Sequence, residues 1–179
     1  MTEEMNSLQD LMLDTLRDLY DAEMLILREG PSMANAVTSP ELQDALVQHL
    51  KETEGQVHRL EQIFKKMGEE PGGKQCKGMA GILAENQELL KQKADPDVQD
   101  VGLILGQQKI EHYEIASYGT AVTFAKLLGD EESAKLLSQT LNEEERVDKR
   151  LTNIANSKVN PEAVEGAGSE SSAEETENE

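Results

Sequence analysis

Apolar residues recur along this chain at alternating three- and four-residue intervals, the signature of helices with one buried face. From Ser7 to Gly30 the stripe is Leu8, Met12, Leu16, Leu19, Ile26 and Leu27, with Ser7 or Asn6 as N-cap. Gly30-Pro31 is expected to end or kink this helix, with a shorter piece through Met33–Val37. Ser39-Pro40-Glu41 restarts it: a Ser N-cap, Pro at the first helical position and an acid in the first turn. The second helix runs to about Met67 and closes at Gly68. A loop holds Pro71-Gly72-Gly73, and a short helical pattern covers Met79–Lys93. Asp95-Pro96 opens the third long helix, which Gly129-Asp130 ends. Glu131–Asn156 forms the fourth. No strand pattern appears.

Four long helices with a long connection between the second and third predict an all-α, ferritin-like antiparallel four-helix bundle, with a short extra helix in its crossover. The bundle spans residues 1–156. From Ser157 the composition turns to Ser, Glu, Gly, Ala and Asn, and 157–179 is expected to be an acidic, disordered tail.

Polar residues interrupt each seam near its middle. The third helix reads Ile104, Gln107, Glu111, Glu114, Tyr118, Ala121, Ala125. Glu23 sits between Leu19 and Ile26 on the first. His49, Glu52 and Gln56 occupy the centre of the second, and Glu144 and Asp148 lie between Leu141 and Leu151 on the fourth. A buried, unpaired carboxylate costs several kcal/mol, so such groups pair, protonate or bind metal. Glu23 precedes Glu52 by 29 residues and Glu114 precedes Glu144 by 30, as in a duplicated helical hairpin. Bridging carboxylates on rigid helices hold two divalent cations, and an oxygen-rich donor set suits iron or manganese over thiolate-bound zinc. The metal candidates are therefore Glu23, Glu52, Gln56, Glu111, Glu114, Glu144 and Asp148, with Glu111 either a ligand or a neighbour of ligands. His49, Tyr20 and Tyr118 are candidates for hydrogen bonds to those carboxylates. The usual Glu-x-x-His ligand pair is absent: His49-x-x-Glu52 is reversed, and Glu54 and His58 share a face with lysines and read as solvated.

Composition narrows the setting. The net charge is −19; seven of the acids lie from Pro161 onward with no Lys or Arg, leaving the body still strongly acidic. Such a surface disfavours nucleic acid and anionic membranes as partners. No apolar run approaches the roughly 20 residues of a spanning helix. The N-terminus lacks the basic and apolar regions of a signal peptide, and the single Cys76 allows no intrachain disulfide; both fit a cytoplasmic protein.

The strings L-Y-D-A-E at 19–23, H-L-K-E-T-E-G-Q-V at 49–57, C-K-G-M-A-G-I-L at 76–83, I-E-H-Y-E-I-A-S-Y-G-T at 110–120 and L-N-E-E-E-R-V-D at 141–148 resemble the YciE/YciF family of bacterial ferritin-like proteins. The resemblance spans about Leu8 to Ala155. It implies a rubrerythrin-like fold, a homodimer, a cytoplasmic location and an association with stress. It also places the family's metal site on Glu23, Glu52, Gln56, Glu114, Glu144 and Asp148, where Gln56 departs from the Glu/His ligands of rubrerythrins. Two readings of function follow. One is a di-iron or di-manganese carboxylate protein in peroxide defence or iron handling. The other is a metal-free, non-catalytic helical dimer acting as a scaffold.

Overall fold

The computed structural model describes residues 5–165. Among them are five helices and no strand: α1 Leu8–Ala36, α2 Pro40–Met67, α3 Lys77–Lys91, α4 Pro96–Leu127 and α5 Glu131–Ile154. Short turns join α1 to α2 and α4 to α5 as antiparallel hairpins, which pack through α1 on α4 and α2 on α5. The connection from α2 to α4 carries α3, which lies against α1 and α4. This is the expected ferritin-like bundle with a helical crossover.

Local chemistry sets most helix ends. Ser7 and Asp10 form a reciprocal capping box, with Asp10 N–H donating to Ser7 Oγ at 3.1 Å and Ser7 N–H to Asp10 Oδ2 at 2.9 Å. Asp95 Oδ1 accepts from the Asp97 and Val98 amides, and Asp130 Oδ1 accepts from the Ser133 amide. Gly68 ends α2 at φ +73°, a left-handed conformation that glycine adopts without a Cβ penalty.

Three sequence expectations are corrected. Pro31 does not end α1, which runs on to Ala36, with Met33, Ala34 and Val37 buried in the core beyond it. Ser39 precedes α2, but its side chain caps nothing. Instead Asp100 reaches across from α4 and accepts from Ser39 N at 2.7 Å, Thr38 N at 3.0 Å and Thr38 Oγ1 at 2.9 Å. A buried carboxylate thus holds the N-terminus of α2, where amide donors and the helix dipole favour negative charge. Finally, the fourth long helix does not stop before Ser157. It passes through a π-helical turn, Ala155–Val159, and stays helical to residue 165, with Ala155 and Val159 buried. The rest of the expected tail lies outside the described residues.

The apolar interior is divided. One cluster includes Ile26, Leu42, Leu46, Leu103, Ile110, Val147 and Leu151. The other includes Leu16, Leu19, Leu60, Phe64, Tyr118, Ala125 and Leu137. Fully burying a Leu or Phe side chain contributes about 1.5–3 kcal/mol, so each cluster is a substantial stabilising block. Between the two blocks every long helix contributes buried polar side chains: Glu23 on α1, His49, Thr53 and Gln56 on α2, Gln107, Glu111 and Glu114 on α4, and Thr140 and Glu144 on α5. A polar layer is held between two apolar halves. No described helix is long and apolar enough to cross a membrane.

Candidate metal centre

The helical repeat places Glu111 and Glu114 one turn apart on the inner face of α4, opposite α5 and its Glu144. His49 enters this layer from α2. Its Nε2 lies 3.6 Å from Glu111 Oε1 and its Nδ1 lies 3.8 Å from Glu144 Oε2. His49, Glu111, Glu114 and Glu144 are all buried, and each offers one ligand atom within 4.8 Å of the others. Oxygens about 2.1 Å from a common cation stand roughly 3–4.2 Å apart, so a small contraction gathers these four around one ion.

Neighbouring side chains orient the four. Gln107 Nε2 donates to Glu111 Oε1 at 2.6 Å. Gln56 Nε2 donates to Glu144 Oε1, and also reaches Glu143 Oε2 at 3.3 Å. Glu143 is in turn paired with Arg59, whose Nε donates to Thr140 Oγ1 at 2.9 Å. Glu23 adds a further buried carboxylate beside Glu114, and its Oε1 accepts the Tyr118 hydroxyl.

The electrostatics follow from this crowding. Burial, then the nearby Glu144, raises Glu23 and Glu111 well above the ordinary carboxyl value. Glu114 is raised by burial, then by Glu23, Glu144 and Glu111. Burial, then Glu23, also pushes the Tyr118 phenol up. Among the described residues no hydrogen-bond partner reaches either Glu114 oxygen, either His49 ring nitrogen, or one oxygen each of Glu23, Glu52, Gln56, Glu111 and Glu144. Unpartnered buried polar atoms are normally rare, and their concentration in one layer asks for a proton or a cation to bind them. The donor set of one imidazole and several carboxylates fits a transition metal such as iron or manganese. The lone thiol does not contribute: Cys76 caps α3 and contacts Tyr113 Oη at 3.0 Å and Asp18 Oδ2 at 3.2 Å.

Of the residues anticipated from sequence, the structure brings Glu23, Gln56, Glu111, Glu114 and Glu144 into the buried layer, with Tyr118 bonded to Glu23. Two remain at its edge. Glu52 is 19% exposed, its Oε1 accepting from Arg146 at 2.9 Å and Gln48 at 3.1 Å. Asp148 is 22% exposed and meets Gln108 Nε2 and His112 Nε2, each at 3.2 Å. Both fall outside the four-residue group and are held at the solvent margin of the layer, Glu52 by Arg146 and Gln48 and Asp148 by Gln108 and His112. Tyr20 is elsewhere, edge-on to Phe64 with ring centroids 6.0 Å apart. His49 is closer to the centre than its anticipated role of bonding to a ligand. The signal was its place on the α2 stripe that follows Leu42 and Ala45, both buried.

Comparison with known proteins agrees with this architecture. Residues 7–164 match the family described as "Domain of unknown function (DUF892)". Protein YciF of Escherichia coli strain K12 is 38% identical over 160 residues, covering 89% of this chain and 96% of YciF. The crystal structure of that stress protein superposes with a TM-score of 0.84 at 38% identity, over 87% of this chain and 99% of YciF. YcfI of Rhodopseudomonas palustris superposes at 0.83 with 37% identity, over 87% of this chain and 99% of its own. A protein from Xanthomonas campestris shares the fold at 0.73 and 21% identity, over 92% and 99% of the two chains. The chain belongs to the DUF892 family and is similar over most of its length to the Escherichia coli stress protein YciF.

Proposed function

We propose that this protein is a di-metal carboxylate protein that binds iron or manganese in its buried polar layer and acts in peroxide defence or iron handling under stress. The single observation that carries this reading is the convergence of His49, Glu111, Glu114 and Glu144 in a buried layer where both His49 ring nitrogens, both Glu114 oxygens and one oxygen each of Glu111 and Glu144 have no hydrogen-bond partner among the described residues. Those four would hold the first ion. Glu23, beside Glu114, supplies a carboxylate toward a second. When bound, such ions supply redox chemistry toward peroxide or oxygen. The chain's own part is to hold the carboxylates ionised and oriented, through Gln107 on Glu111, Gln56 on Glu144 and Tyr118 on Glu23, and to exclude water with the two apolar blocks. The test is elemental analysis of protein purified without chelator, with hydrogen peroxide consumption measured against metal content. About two ions per chain and metal-dependent consumption support the reading.

One observation favours the other reading, a metal-free scaffold. Burial raises Glu23, Glu111 and Glu114 well above the ordinary carboxyl value, which favours their protonated forms when no cation is bound. A melting temperature unmoved by EDTA and by added Fe(II) or Mn(II) would favour it. In either case we propose a cytoplasmic homodimer. Val98 and Leu105, exposed and two helical turns apart on α4, offer an apolar strip for self-association, which sedimentation would check.

A further inference from the structure

Glu52 has a divided environment. Its Oε1 is bound at the protein surface by Arg146 and Gln48, while its Oε2 is buried with no donor. It lies three residues after His49 and four before Gln56, so all three share one side of α2. The two flanking residues both meet Glu144 of α5, the helix that also carries Arg146. Arg146 is 61% exposed and Glu52 19% exposed, whereas His49, Gln56, Glu111, Glu114 and Glu144 are buried. The Arg146–Glu52 pair therefore sits where the polar layer meets solvent, between α2 and α5.

We propose that Arg146 is a latch: it parks Glu52 at the rim of the centre, and a divalent cation takes the Glu52 carboxylate from it as the site loads. A bound divalent cation would replace Arg146 as the cationic partner of Glu52, with its second charge met by the neighbouring buried carboxylates Glu111, Glu114 and Glu144. Arg146 would then be freed into solvent, where its exposed guanidinium is readily hydrated. The ion pair competes with metal for Glu52, so its cost appears as weakened cation binding. Arg146 acts only through Glu52 and is a positioning residue. This inference rests on the metal reading above and adds to it the device that controls loading.

The test uses the full-length protein, freed of metal, titrated with Mn(II) while free Mn(II) is followed by electron paramagnetic resonance. Arg146→Gln is expected to tighten binding about threefold to tenfold, since an exposed ion pair is a modest competitor. Glu52→Gln is expected to weaken it about tenfold, and the double variant to match Glu52→Gln alone. Arg146→Gln also removes a positive charge, and a general charge effect would tighten binding equally with Glu52 absent. That outcome, or an unchanged or weaker affinity for Arg146→Gln alone, overturns the latch. A wild-type protein that binds no Mn(II) overturns the metal reading itself, and the latch with it.

Discussion

His49 Nε2 stands 3.6 Å from Glu111 Oε1 in an interior where neither side chain is more than 2% exposed. The separation is too long for a hydrogen bond and short enough for both atoms to bind one ion. His49→Ala should therefore lower Mn(II) affinity at least about tenfold, as loss of a directly bound or immediately supporting imidazole does. Equilibrium dialysis checks this. His112→Ala, on the exposed side of the same layer, should leave affinity within about twofold.

Stability of the metal-free protein should fall as pH rises above about 4.5. In the unfolded chain Glu23, Glu111 and Glu114 titrate near the ordinary value of 4.5, whereas in the folded protein they hold protons to much higher pH. Below 4.5 both states are protonated and the contribution is fully present. Above it the unfolded state releases protons that the folded state retains, and the contribution is lost progressively toward the folded values. The apo protein should melt several degrees higher at pH 5.5 than at pH 8. Glu114→Gln should reduce that difference, and bound metal should reverse it, because metal binds the deprotonated forms. Scanning calorimetry across this range gives all three slopes.

Asp100→Ala should cost about 2–4 kcal/mol, because it orphans three donors at the start of α2 and removes a charge favoured by the helix dipole. Ser39→Ala, by contrast, should cost under about 0.5 kcal/mol, since its hydroxyl caps nothing. Urea denaturation of the two variants separates this cross-bundle cap from a local one.

Gly106 on α4 leaves room for Asn86 of the crossover helix. A Cβ there would stand 2.0 Å from Asn86 Oδ1 and 2.6 Å from its Cγ. Gly106→Ala should destabilise the protein by about 1–3 kcal/mol despite alanine's better helix propensity. Adding Asn86→Ala should recover part of that loss, a non-additivity measurable by the same unfolding experiment.

The helices and most of the layer could be read from the chain because they rest on short-range periodicity. Glu23, Glu111, Glu114 and Glu144 interrupt apolar stripes, and a stripe locates depth on its own helix. Neighbours across the bundle leave no such trace. Asp100 is an acid near the start of a helix, where local preference already explains it, yet it caps a different helix 61 residues away in sequence. Glu52 and Asp148 obey the three/four spacing but sit at the margin of the buried face, where one position around the helix decides between core and solvent. Pro31 reads as a breaker by local rules, and tertiary burial of Met33 and Ala34 carries the helix past it.

The central claim is that the buried carboxylate layer is a metal site. The most direct measurement is the iron and manganese content per chain of protein purified without chelator, for the wild type and for Glu144→Ala. Glu144 faces His49 and Gln56 together, so it is the ligand whose loss should disturb the centre most. About two ions in the wild type, falling below about half an ion in the variant, is the result expected for a di-metal centre. A folded wild-type protein with no bound iron or manganese, or a Glu144→Ala variant with undiminished content, would contradict it.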